Sequence, residues 1–244
     1  MTFKAQIINH NTLKNAFDSI RLIVDEITLV TNNKGIHLRC LDKSHITFII
    51  LDLNKEFFDE YQCDAPEKIH IDCDVFYNIL KKANRDDVLE LSLNEGNLIM
   101  DLKGDANRRF EIGLIDIEYE NPQPPRIEFP CTINIPSGLL KEYIDDMEFF
   151  SEKLEFIVDE DYLIIRTDGQ KGKAETRYLH GESISEMVRS SFSIPKLKEI
   201  FKASKFSESC ELGLGSDAPV RVCFKLVTGD GELSYLLAPR LEES

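Results

Sequence analysis

The chain has 244 residues, 42% hydrophobic and 30% charged, with 15 Phe, 7 Tyr and no Trp. That length holds one large domain or two modest ones, and the composition excludes disordered, collagen-like and membrane-embedded chains. A formal charge of −15 repels polyanions at long range, but screening confines surface charge to ~8 Å at physiological salt, so its placement matters more than its sum.

Residues 2–8 read as a strand, after which Asn11 or Thr12 is placed to cap a helix with Leu13, Phe17, Ile20 and Val24 at helical spacing. Strands follow at 27–30, 36–40 and 46–53, the first two joined by the hairpin turn Asn32-Asn-Lys-Gly35. Asp72 or Asp74 opens a second helix carrying Val75, Phe76, Ile79 and Leu80, and strands at 88–93, 97–102 and 108–115 complete this half. Four of the nine prolines then fall between Pro122 and Pro130, which bars helix and central strand alike. The expected organisation is an N-terminal domain over 1–116, an extended linker over 117–130 and a C-terminal domain over 131–244.

The second half repeats the order of the first. It predicts a strand at 132–135, a helix from Ser137, strands at 154–158, 162–167 and 175–179, a helix over 195–203, and strands at 209–214, 219–226 and 232–237. A shift of 127 positions lays Leu13-Lys14 on Leu140-Lys141 and Phe17 on Ile144, and a shift of 121 lays Ile79-Leu80-Lys81 on Ile200-Phe201-Lys202. The fold class is therefore α+β: two similar domains of antiparallel sheet with two helices each.

Four helical windows, 9–23, 72–84, 136–150 and 194–205, hold nine basic and eight acidic residues, so the rest of the chain carries a net −16. If a duplicated fold presents the helices on one surface, that surface is locally cationic. Lysine and arginine reaching from helix faces suit phosphate contacts that position a duplex without reading bases. Nothing resembles a recognition helix, an aromatic RNA-binding motif or a zinc finger.

Six cysteines lie scattered without a CxxC pair, and the first residues lead into no apolar run, which together predict reduced thiols and a cytoplasmic chain. The five histidines form no paired metal spacing. Gly213-Leu-Gly-Ser-Asp217 lacks the third glycine of a dinucleotide fingerprint, and no Walker loop occurs. The expectation is a protein that is not an enzyme and takes no cofactor or metal.

Three segments carry a family resemblance: Leu41-Asp-Lys-Ser-His-Ile46, Ile133-Asn-Ile-Pro-Ser-Gly138 and Tyr235-Leu-Leu-Ala-Pro-Arg-Leu-Glu-Glu243. In this order, around a mid-chain linker, they resemble the proliferating cell nuclear antigen family of archaeal and eukaryotic sliding clamps. The resemblance implies a trimeric ring that encircles double-stranded DNA without sequence specificity and without contact to membrane. It implies DNA contact by Lys14, Arg21, Lys81 and Lys202, with Lys82, Lys141 and Lys198 as neighbours. Glu142 and Asp145 stand where eukaryotic relatives usually carry arginine. It further implies that DNA polymerase, clamp loader, flap endonuclease and DNA ligase dock through short motifs. Their pocket would use Leu41, Ser44, His45, Ile46, Pro219, Leu236, Ala238 and Pro239, walled by Pro124 and Pro125, with Arg240 and Leu241 pairing the partner backbone. The subunit interface would join Arg108, Arg109, Phe110, Glu111 and Ile112 of one copy to Lys171, Lys173, Glu175, Arg177 and Tyr178 of the next. The rival function is an interaction scaffold that never encircles DNA.

Overall fold

A computed structural model of the chain describes residues 3–116, 121–184 and 186–240. The first half runs β1 (Phe3–Ile7), α1 (His10–Ile23), β2 (Glu26–Asn32), β3 (Gly35–Leu41), β4 (Thr47–Asn54), β5 (Glu60–Cys63), β6 (Glu67–Asp72), α2 (Cys73–Leu80), β7 (Val88–Asn94), β8 (Asn97–Lys103) and β9 (Arg108–Gly113). The second runs β10 (Cys131–Pro136), α3 (Ser137–Glu148), β11 (Lys153–Val158), β12 (Tyr162–Gly169), β13 (Gly172–Leu179), β14 (Val188–Ser193), α4 (Ile194–Ile200), β15 (Ser209–Leu214), β16 (Val220–Lys225) and β17 (Gly231–Leu237). A 3-10 turn over Phe201–Lys205 extends α4.

Three strands escape the sequence pattern. β5 buries no residue fully, and β6 buries only Ile69 and Ile71. β14 fills buried positions with Ser190 and Ser191 beside Phe192, which hides its alternation. The first helix begins at His10 rather than after Asn11 or Thr12, and the Asn9 side chain at its N-terminus makes no capping bond among the described residues. Asp72 does cap α2, accepting from the Val75 N–H at 2.8 Å. Gly35 closes the β2–β3 turn at φ +144°, where an added Cβ would lie 2.0 Å from the Leu53 carbonyl oxygen.

The strands form three antiparallel sheets, ordered β5-β1-β7-β8-β9, β10-β15-β16-β17-β4-β3-β2-β6 and β13-β12-β11-β14. The middle sheet draws strands from both halves and is continuous through β17–β4, where Leu237 faces Thr47 and Gly231 faces Leu53. Alternate strand residues and the apolar stripes of the helices meet in one core rich in Phe, Leu and Ile. The duplication holds at the buried helix positions: His10, Leu13, Phe17 and Ile20 of α1 become Ser137, Leu140, Ile144 and Met147 of α3 at a shift of 127.

Candidate nucleic-acid interface and partner groove

The sheets leave the four helices packed as one row. α1 touches α2 on one side and α4 with the 201–205 turn on the other, and α4 touches α3. Side chains tie the row together: Arg21 reaches Asp74 at 3.4 Å and lies 4.3 Å over the Tyr77 ring, and the Asn15 amide donates to the Lys205 carbonyl at 3.0 Å. The seven predicted DNA-contacting residues all lie on this row, but in two electrostatic states. Exposed Lys81, Lys82 and Lys202 have no carboxylate within 4.0 Å among the described residues. Lys14 donates to Asn11 at 2.6 Å and Arg21 pairs with Asp18 at 3.2 Å. Lys141 pairs with Asp145 at 2.5 Å, and Lys198 pairs with Glu148 and with Asp145 at 3.4 Å. A depression of about 230 Å³ gathers Lys141, Lys198 and Lys202 around Asp145. Burial there works to raise the Asp145 pKa, but hydrogen bonds and attraction from Lys141 and Lys198 outweigh it and hold the group ionised below its usual range. Lys196, counted among the helical cations, turns away into the groove described next.

The loop 42–46 is organised by Asp42, whose carboxylate accepts from the Ile46 and Thr47 N–H groups at 2.8 Å each and from the Ser44 hydroxyl. Burial opposes ionisation of Asp42, and these donors win, lowering its pKa. His45 sits at φ +60°, the sharp point of the loop. Beside it, Ala238 N–H donates to the Ile46 carbonyl at 2.8 Å, continuing the β17–β4 ladder past Leu237. Pro219 leads into Val220, which faces Leu237 across β16–β17. The chain thereby brings the 41–46 segment, Pro219 and the 236–239 segment together. Leu41 and Ile46 are exposed apolar residues, while Leu236 is only 7% exposed and faces Phe48. A cleft of about 400 Å³ opens from Leu41 and Ser44 toward Ile23, Val24 and Lys196. The linker end is held where Phe129 packs over Gly213 and Arg221, the latter 5.1 Å above its ring; Pro124 is half-buried and Pro125 exposed.

The structure limits how Arg240 can pair with a partner's backbone. The Arg240 N–H is bonded to the Ser191 carbonyl at 2.8 Å, which leaves its carbonyl as the group that can meet a partner's backbone, and its side chain lines a different depression with Arg189 and Glu155. Leu241 and residues 117–120 of the linker lie outside the described residues.

The predicted interface strands are both sheet edges. Among the described residues β9 pairs only with β8, and β13 only with β12. Along β13, Lys173, Glu175 and Arg177 point to solvent while Gly172, Ala174, Thr176 and Tyr178 are half-buried, and Lys171 at its start is exposed 5.4 Å over the Phe149 ring. Along β9, Arg109 and Glu111 are exposed, Arg108 and Phe110 half-buried and Ile112 buried. Arg109 holds Asp101 through two bonds of 2.8 and 2.9 Å, Arg108 pairs with Asp87, Lys173 with Asp168 and Arg177 with Glu175. Glu111 has no cation within 4.0 Å among the described residues.

Among the described residues no group of three or more His, Cys, Asp or Glu is placed to hold a metal ion, and no helix is long and apolar enough to cross a membrane. Burial pushes the Cys40, Cys210 and Cys223 thiols up to about 12, so these cysteines stay protonated and unreactive at neutral pH.

Comparison with known proteins bears on the whole chain. The profile of the family described as "Proliferating cell nuclear antigen, N-terminal domain" matches residues 2–121, and that of the C-terminal domain matches 123–240. A protein of Methanobrevibacter smithii is 50% identical and one of Methanothermobacter thermautotrophicus 47% identical, each alignment covering 98% of both chains. A Methanococcus maripaludis protein is 30% identical over 96% of this chain and 97% of its own. All three are named "DNA polymerase sliding clamp".

Proposed function

The chain belongs to the proliferating cell nuclear antigen family and is a DNA sliding clamp, and we propose that three copies close into a ring whose helical rows face a threaded duplex. What carries the ring is the seam the chain already makes with itself. In β17–β4 the last strand of the second half pairs with the third hairpin strand of the first half, Ser234 facing Ile50, Tyr235 facing Ile49 and Leu236 facing Phe48. The duplication makes β9 the equivalent of β17 and β13 the equivalent of β4. Following the hairpin registers, β9 is β17 shifted by −125 and β13 is β4 shifted by +125. Repeating the internal seam between copies then sets Arg109 opposite Glu175, Phe110 opposite Ala174, Glu111 opposite Lys173 and Ile112 opposite Gly172. Both charge pairs are opposite in sign and both apolar side chains meet small residues. An edge left open would otherwise be an aggregation hazard.

A ring makes release from DNA a topological matter, so weak phosphate contacts suffice and the acidic remainder of the chain is no obstacle. In this reading Lys14, Arg21, Lys81, Lys82 and Lys202 bear the duplex, with Lys141 and Lys198 partly neutralised by Asp145 and Glu148. The clamp works with DNA and a DNA polymerase. The loader, flap endonuclease and ligase dock with short helical motifs on the surface around Leu41, Ile46, Pro219, Ala238 and Pro239, between the 42–46 loop and the linker. The chain supplies tethering and no chemistry of its own, and acts in the cytoplasm on nucleoid DNA.

Retention on DNA tests this. Loaded by an ATP-driven loader onto a nicked circle, the clamp stays bound and runs off once the circle is cut. The K14E/K81E/K202E variant keeps its trimer mass and loses loading and sliding. A clamp retained equally on circular and linear DNA, or polymerase stimulation undiminished by the triple change, would refute the encircling reading in favour of a scaffold.

A further inference from the structure

A depression of about 580 Å³ lies on the face of the β13-β12-β11-β14 sheet opposite its apolar core, and a second of about 460 Å³ joins it through Glu155 and Arg189. Glu155 on β11 is the pivot of both. Its side chain is only 10% exposed, accepting from Arg166 Nε of β12 at 2.5 Å and from Arg189 of β14 through Nε at 3.1 Å and through Nη2. Burial opposes its ionisation, and hydrogen bonds and attraction from the two arginines prevail. The carboxylate is thereby fixed beneath two guanidinium side chains that remain 40% and 55% exposed. Of the other acids there, Asp168 pairs with Lys173 and Glu175 with Arg177; Lys173, Glu175 and Arg177 belong to the seam in the ring reading. Lys153, Arg166, Arg189 and Arg240 then line the joined depressions, with the exposed acid Asp217 beside them. Arg240 is exposed and has no carboxylate within 4.0 Å among the described residues. On a chain of net charge −15 this is a local excess of cations.

The second depression begins where the partner groove ends. The Ala238 N–H holds Ile46 at the groove, and two residues on the Arg240 N–H holds Ser191 of β14. The 216–219 loop makes the same step. Pro219 borders the groove, whereas the Asp217 N–H bonds the Arg189 carbonyl at 3.2 Å and the Arg189 N–H bonds the Ser216 hydroxyl at 3.4 Å. A bound segment that leaves the groove past Pro239 therefore meets Arg240, Arg189 and Arg166. No aromatic ring lines either depression among the described residues, so the stacking that holds single-stranded nucleic acid has no platform here. Guanidinium groups suit carboxylates, which they can grip through two parallel bonds. We propose that this cationic depression receives an acidic segment flanking the short docking motif of a partner protein. The inference rests on the docking reading above and adds to it a preference for Asp and Glu on one side of the motif.

The test is fluorescence anisotropy of the full chain with three synthetic peptides that share one docking motif, a Gln followed by hydrophobic anchors. One peptide carries four Glu before the motif, one carries four Glu after it, and one carries four Gln on both sides. Net charge alone makes both Glu-flanked peptides the weaker binders. The proposal reverses that sign for one of them, which binds about tenfold more tightly than the uncharged peptide at low salt, as a few exposed charge pairs allow. High salt narrows the difference. The R240E variant brings the ratio between these two peptides to within about threefold. K34E, at the β2–β3 turn and so at the end of the sheet away from Leu237, keeps the ratio. Three results overturn the proposal: both Glu-flanked peptides binding more weakly than the uncharged one, a preference that survives R240E, or displacement of the preferred peptide by single-stranded oligothymidylate at a similar concentration, which would assign the depression to nucleic acid. Failure of all three peptides to bind would instead overturn the docking reading.

Discussion

Replacing Glu111 by Lys isolates the subunit seam, because Glu111 is exposed on an edge strand and makes no ion pair of its own among the described residues. In a lone chain the change costs almost nothing, so thermal unfolding of the monomer stays where it was. In the ring it sets the introduced ammonium against Lys173. A cross-strand charge pair is worth ~0.2–1 kcal/mol, and a like pair costs a similar amount, so reversal costs about 1 kcal/mol per seam and about 3 kcal/mol over three seams. The midpoint of a monomer–trimer equilibrium scales as the square root of its dissociation constant. A change of ~3 kcal/mol therefore raises the midpoint about tenfold, at roughly 1.4 kcal/mol per decade. Sedimentation at low salt measures it, and high salt shrinks it. The compensating K173E change restores the midpoint, and R177E does not, since the transposed register sets Arg177 opposite Asn107. Equal rescue by K173E and R177E, or no shift from E111K at all, would refute the register.

The remaining predictions concern the partner groove and acid stability. Asp42→Ala removes the acceptor of two N–H groups and a hydroxyl, costing about 1–3 kcal/mol of stability and disordering the 42–46 loop; peptide binding by calorimetry falls with it while trimer mass does not. Leu41→Asp with Ile46→Asp puts charge on the exposed apolar rim and abolishes binding of a short partner motif, leaving retention of a loaded clamp on circular DNA unchanged. Several carboxylates, Asp42, Asp52, Glu90 and Glu155 among them, are lowered because hydrogen bonds from partners such as Ser44, His37, Lys103 and Arg189 outweigh their burial. A depressed folded-state pKa stabilises above the unfolded value and loses that contribution as pH falls through the folded one. Melting temperature is therefore flat near neutrality and falls steeply below pH ~4; a melting temperature that rises with acidification would contradict these shifts.

What the sequence by itself determined is local and repetitive. Core positions at helical spacing, the Asp72 cap and the Asn32–Gly35 hairpin could be read because each depends on residues within one or two turns of chain. The duplication could be read because core positions, such as Phe17 and Ile144, are constrained in both halves. Strand β14 could not, since its serines are buried by neighbours that pattern reasoning does not see. Tertiary structure alone decided which cations stay free. Lys198 and Lys202 look alike in sequence, yet Glu148, fifty positions away, pairs with the first and no carboxylate lies within 4.0 Å of the second among the described residues. It alone decided that the Arg240 amide is spent on Ser191, and that β17 meets β4 in a definite register. The reason is physical: periodicity fixes which face of an element is apolar, but charge neutralisation and edge pairing depend on groups brought together from distant positions in the chain.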